Sequence, residues 1–247
     1  MSARPDRRRL RTIARRLERR FGPLEPPRAT DPLEELVWTV LSQHTSDANA
    51  ERAYRALRAA FPSWEAVLAA PTPALARAIR SGGLANTKAG RIRAILREIA
   101  EREGRLDLTR LRGMSDEEVR AYLTSLPGVG PKTAAVVMAF ALGRDAIPVD
   151  THVHRVSRRL GLVPPKASAE RAHDLLHEIV PAELRTPLHV GLIRLGRELC
   201  IARRPRCEAC PLVDRCPTAP LVLGEGRAEA RSGRARLPRP EPGPREG

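Results

Sequence analysis

Lys132 follows Leu126-Pro127-Gly128-Val129-Gly130-Pro131 and opens an apolar stretch, Thr133 to Leu142. Two glycines within three residues permit positive φ and let the backbone approach a ligand with no Cβ in the way. A helix that starts there presents its free N–H groups outward, which is a ready phosphate site. With a helix predicted over 116–126 ahead of the turn, the arrangement is a helix-hairpin-helix, a form that grips the duplex backbone without reading bases. Lys132 in the first turn of the second helix admits two readings, a further phosphate contact or a nucleophile. The positive end of a helix disfavours an ammonium, and the neutral amine can attack an electrophilic carbon to form a Schiff base.

Val149-Asp150-Thr151-His152-Val153 begins one helix and one turn later, with Asp150 18 positions after Lys132. An aspartate before a helix is ordinarily an N-cap. Brought back beside the hairpin, the same carboxylate can accept a proton from the attacking amine and stabilise positive charge on a sugar ring. The four cysteines, Cys200, Cys207, Cys210 and Cys216, form C-x6-C-x2-C-x5-C. Structural zinc usually shows two close pairs, and only one is present. Four thiolates in so short a loop suit an iron–sulfur cube better, and a disulfide framework is disfavoured in an intracellular setting. His173 and His177 have metal-pair spacing but lack the glutamate of H-E-x-x-H, so they read as surface helix residues.

The elements that must position these groups are helical. Asp31 with Pro32 reads as an N-cap and first helical proline, followed by an apolar stripe of Leu33, Leu36, Val37, Val40 and Leu41. Thr72-Pro73 repeats that pattern, and Ser115 with Glu118 has capping-box form before Val119, Tyr122 and Leu123. No sustained period-two alternation occurs, so the fold class is all-α. The first twenty residues hold nine arginines, with Leu10, Ile13, Ala14 and Leu17 at helical spacing. Their basic face is either simply solvated or a DNA backbone contact, and in the latter case deleting the segment weakens DNA binding. Gly22 to Thr30 reads as a linker, and 218–247, rich in Pro, Gly, Arg and Glu, as a disordered tail.

The chain of 247 residues fits one large domain or two smaller ones. Its net charge of +15, with all but three of its 44 basic residues arginine, points to a polyanion, nucleic acid before an acidic membrane. Aromatics make up only 3%, against a single-strand binder built on stacking platforms. No apolar run reaches the roughly 18 residues of a membrane helix, and no apolar stretch follows the basic N-terminus as in a secretory signal. These features predict an intracellular protein that faces nucleic acid, with no membrane partner.

Leu126-Pro-Gly-Val-Gly-Pro-Lys132-Thr-Ala together with Val149-Asp150-Thr-His-Val resembles the endonuclease III family of base-excision DNA glycosylases. The resemblance extends from about Asp31 to Pro217. It implies two helical lobes, one over 31–143 containing the hairpin at 116–142, the other joining the 1–30 arm to 144–217. It also implies a [4Fe–4S] cluster on Cys200, Cys207, Cys210 and Cys216, since the same spacing marks that family's cluster loop, with Arg203, Arg204 and Arg206 as phosphate contacts. The implied activity is a bifunctional glycosylase and abasic-site lyase acting on oxidised pyrimidines such as thymine glycol in double-stranded DNA, as a monomer. Lys132 is then the nucleophile, Asp150 the catalytic carboxylate, and Gly128 and Gly130 backbone-contact positions. His152 is either a phosphate contact or a capped surface histidine. Ser42 to Asp47 falls where the family has a loop that enters the gap left by the flipped base. The family often has Gln where His44 aligns, so either Gln43 or His44 fills that gap. Leu84, after Gly82-Gly83, resembles the family's apolar wedge, with core packing as the alternative. Rival readings are a monofunctional adenine or mismatch glycosylase, whose family members generally lack the lysine, and a non-enzymatic binder of damaged DNA, which has no need of Asp150.

Overall fold

The computed structural model describes residues 6–25 and 31–224. Among these the chain forms helices α1 (Arg7–Phe21), α2 (Pro32–Ser42), α3 (Asp47–Ala60), α4 (Trp64–Ala69), α5 (Thr72–Ala78), α6 (Ala85–Glu103), α7 (Asp116–Ser125), α8 (Pro131–Phe140), α9 (Thr151–Arg159), α10 (Ala169–Ile179) and α11 (Ala182–Glu198), and no strand. Local chemistry sets most of the starts. Asp31 accepts from the N–H groups of Leu33 and Glu34, and Ser115 with Glu118 closes a reciprocal capping box. Thr72 does not cap α5. It lies inside the helix, and its hydroxyl accepts instead from Arg93 at 2.8 Å.

Apolar faces pack into two cores. The first runs from Leu33 on α2 to Ala146, beyond α8; the second combines Leu10, Ile13, Ala14, Leu17 and Leu24 with Ile147 to Leu212. Helix α1 is thus a wall of the second core, braced by Arg9 to the Leu160 carbonyl and by Arg16 to Asp214. Deleting the first twenty residues would expose that core, so arginine substitutions on its exposed face (Arg7, Arg8, Arg11, Arg15 and Arg19) are the sound test of DNA contact.

Three sequence expectations change here. His173 is buried and His177 half-buried, rather than on the surface. They face Arg120 on α7 and Arg185 on α11, and burial first, then these cations, pushes the His177 imidazole down to about 4. Leu24, within the expected linker, is buried, while 26–30 lie outside the described residues. Ordered chain also continues past Pro217: the Thr218 hydroxyl donates to the Arg159 carbonyl at 2.9 Å and Ala219 is buried, with the rest of the expected tail, from 225, outside the described residues. No helix is long and apolar enough, among the described residues, to cross a membrane.

Candidate active site and cysteine loop

The turn into α8 uses its two glycines differently. Gly128 has φ +71°, a conformation that favours glycine, and a Cβ there would displace the Arg91 side chain. Gly130 has φ −94°, open to any residue, and a Cβ would meet nothing within 4 Å. Its contribution is the open space before α8, whose first N–H groups carry no side-chain cap. Lys132 emerges from that first turn.

Helix α9 starts the other way, with Asp150 as its cap: Oδ1 accepts from the Val153 N–H at 2.7 Å. The bond fixes the carboxylate's direction. Lys132 and Asp150 then line one cleft of about 580 Å³, walled by α2, α8 and α11 and shared with Glu35, Trp38, Thr39, Phe140 and His189. The cap and the site carboxylate are therefore one group.

His189, which the sequence reading missed, is buried on α11 beneath this pair. Its Nδ1 lies 2.8 Å from the Pro148 carbonyl, which only accepts, so Nδ1 carries the proton. Burial pushes the imidazole down to about 4 against the opposing pull of Asp150, so it is neutral at pH 7. A lone histidine on an apolar helix face gave no signal of this.

The expected DNA-facing loops share a backbone signature. His44 (φ +53°), Leu84 (φ +49°) and Arg204 (φ +51°) are the non-glycine residues with positive φ among the described residues, each on a separate loop. Such strain persists only where surrounding structure imposes it. Leu84 is 58% exposed, so its side chain is not core. Buried Lys88 donates to the carbonyls of Gly82 at 2.8 Å and Leu41 at 2.6 Å, tying the turn before Leu84 to the end of α2. Gln43 is held inward, accepting from Arg91 at 2.7 Å and approaching Thr133 at 3.4 Å, while His44 is exposed. Neither Lys88 nor Arg91 was assigned a role from sequence; both are basic residues spaced along an ordinary helix.

His152 packs on Gly196 and accepts from Arg155 at Nδ1 (3.1 Å), which leaves Nε2 as its donor. Arg155, midway along α9, and Arg159, at its far end, hold the cysteine loop by its carbonyls. Arg155 reaches Cys200 O at 3.0 Å, and Arg159 reaches Ile201 O at 2.7 Å and Ala202 O at 2.9 Å. Arg203, Arg204 and Arg206 are exposed on that loop.

All four cysteines are outside disulfides and line one recess with Val156, Leu160 and Leu195. Burial first, and then the neighbouring sulfurs, pushes the Cys207 and Cys210 thiols up. So many sulfurs can be thiolates together only around a cationic core. That arrangement fits a multi-iron cluster seated in a dry recess, with Arg159 3.4 Å from Cys200 Sγ.

Residues 37–182 match the family model of HhH-GPD superfamily base excision DNA repair proteins, and 200–216 that of the iron–sulfur binding domain of endonuclease III. Endonuclease III of Thermotoga maritima is 34% identical over 220 residues, 89% of this chain and 96% of its own. The chain belongs to the endonuclease III family. It is a base-excision DNA glycosylase with a [4Fe–4S] cluster on Cys200, Cys207, Cys210 and Cys216. An Arabidopsis thaliana protein named as a DNA glycosylase is 42% identical over 191 residues, and the chain spans 65% of that relative's length. A solved structure of a trapped endonuclease III–DNA covalent intermediate superposes with a TM-score of 0.76 at 31% identity, covering 87% of this chain and 98% of that one.

Proposed function

We propose that the protein is a bifunctional DNA glycosylase and abasic-site lyase that removes oxidised pyrimidines from double-stranded DNA. The observation that carries this reading is the convergence of Lys132 and Asp150 on one cleft between the two cores. The Lys132 amine attacks C1′ of a flipped nucleotide, the C1′–N bond breaks, and the base leaves with the electron pair. Asp150 stabilises the positive charge on the sugar and takes the proton that the amine sheds. Ring opening gives a Schiff base; loss of a C2′ proton then expels the 3′ phosphate by β-elimination. The positively charged imine nitrogen accepts those electrons, which is why an amine nucleophile cuts the strand and activated water does not.

On this reading the strained Leu84 and the Gln43–His44 corner occupy the gap left by the extruded base, which offsets a few kcal/mol of lost stacking. The exposed, strained His44 enters the gap, while Gln43 is the brace behind it. Gly128, Gly130, the open start of α8, His152 Nε2 and the loop arginines Arg203, Arg204 and Arg206 hold phosphates. The reading includes a monomer working in the bacterial cytoplasm, at the nucleoid.

Borohydride trapping on duplexes carrying thymine glycol or an abasic site tests the proposal, with Lys132→Gln as control. A covalent adduct for the wild type that disappears in the variant, with its melting temperature kept, is the expected outcome. An adduct on the abasic duplex alone keeps the lyase and removes the lesion assignment. With cluster-loaded protein giving none on either, Lys132 is a phosphate contact and the Schiff-base chemistry is wrong.

A further inference from the structure

The cleft wall on α2 carries a carboxylate that the chemistry above leaves unused. Glu35 is only 5% exposed, yet it lines the cleft with Thr39 and Ser42, on successive turns of α2. It stands in the first turn of α2, where the helix dipole favours negative charge. Among the contacts of this carboxylate, the Thr39 hydroxyl donates to Glu35 Oε1 at 3.4 Å, and an ionised carboxylate is an acceptor only.

Its depth follows from the helix directions. Gln43, just after α2, meets Thr133 in the first turn of α8, so the end of α2 lies at the start of α8 beside Lys132. Glu35 is seven residues back along α2, about 10 Å at 1.5 Å per residue, and Phe140 is eight residues on along α8, about 12 Å. A base whose C1′ lies at Lys132 therefore enters between Trp38 and the Val136–Phe140 side with its far edge towards Thr39 and Glu35. On a pyrimidine the ring atom opposite the glycosidic nitrogen is C4. Cytosine-derived bases carry an amino donor there, whereas uracil- and thymine-derived bases carry an oxo acceptor. A buried carboxylate accepts from the first and is set acceptor-to-acceptor against the second, the kind of mismatch that a polar site rejects strongly.

We propose that Glu35 sets substrate choice by reading the C4 substituent, so that the enzyme favours oxidised pyrimidines that retain a 4-amino group. The proposal rests on the glycosylase–lyase reading of this cleft and narrows its substrate class, with thymine glycol, a 4-oxo base, a slower substrate.

The test compares 5-hydroxycytosine with 5-hydroxyuracil, which differ at C4 and in the proton that the neighbouring N3 gains with the oxo group, in one duplex under single turnover. Cleavage of an abasic duplex, which presents no base to Glu35, is the control. The wild type is expected to excise 5-hydroxycytosine at least tenfold faster. Glu35→Gln, of the same shape but with an amide donor, should erase or invert that ratio, while Glu35→Asp, which withdraws the acceptor by one methylene, should reduce it. Both variants should cut the abasic duplex within twofold of wild type. An unchanged ratio in Glu35→Gln, no wild-type preference, or an equal loss on all three duplexes overturns the proposal. Excision of neither base with abasic cleavage intact overturns the oxidised-pyrimidine assignment along with it. Absence of abasic cleavage in the wild type marks instead the failure of the lyase reading itself.

Discussion

Helix α9 joins two regions built on opposite principles. At its start, the Lys132–Asp150 site is assembled from helix beginnings, the uncapped first turn of α8 and the Asp150 cap of α9, each backed by a buried apolar face. At its end, the 200–216 loop supplies little to bury beyond Leu212, and its shape rests on Arg155, Arg159 and Arg16 bonded to its carbonyls and to Asp214, together with the cluster. A site made of helix termini is a by-product of folding; a loop made of cysteines must be cross-linked to fold at all. Damage to the first should cost chemistry while leaving stability, and damage to the second should do the reverse.

The sharpest separation is at Asp150. Asp150→Asn keeps a side-chain oxygen for the Val153 N–H, so its melting temperature should hold while excision falls by about 10²- to 10⁴-fold. Asp150→Ala should lose a further ~1 kcal/mol of stability by denaturant titration. An Asn variant that melts well below wild type would make Asp150 chiefly a structural cap. At the other end, Cys210→Ser should remove the bound iron and make 200–216 the first segment cut by protease, with a loss of roughly 2–5 kcal/mol, the scale of removing a native cross-link. A variant without iron but with unchanged stability would refute the contrast between the regions.

Besides the Asp150 cap, the site carries a stability element in His189. The unfolded imidazole takes a proton near pH 6.5 and the folded one only near 4, so the unfolded state binds it first. Stability should therefore fall as pH drops from about 6.5 towards 4, by about 3 kcal/mol from this residue. His173 and His177, both lowered by burial, add a slope of the same sign. The difference between wild type and His189→Gln, in melting temperature at pH 7, 6 and 5, isolates the contribution, and parallel curves would contradict it. The smallest effect expected is Arg159→Ala, which frees the Ile201 and Ala202 carbonyls for roughly 1–2 kcal/mol and speeds iron loss to a chelator with excision per loaded enzyme kept.

Reading the sequence alone works where a few neighbouring residues state the physics. Pro-Gly-Val-Gly-Pro-Lys, the Asp150 cap, the capping box at Ser115 and the cysteine spacing are all local patterns. The His173–His177 pair misled because the partners that bury it, Arg120 and Arg185, come from α7 and α11. Thr72 looked like a cap because its competing donor, Arg93, lies on another helix. Lys88, Arg91, His189 and Glu35 were passed over for the same reason. Each owes its role to carbonyls, a turn or a cleft wall that other segments supply.

By itself, then, the sequence determined an all-helical chain, the turn into α8, the nucleophile and carboxylate as candidates, and the cluster ligands, because caps, glycine turns and ligand spacings are set within a few residues. Tertiary structure alone decided that Lys132 and Asp150 share a cleft, that α1 closes the second core, and that Glu35 lines the same cleft. Those facts depend on which helix faces pack together, and the selection among faces is made by burying apolar area across the whole fold, which no short stretch of sequence encodes.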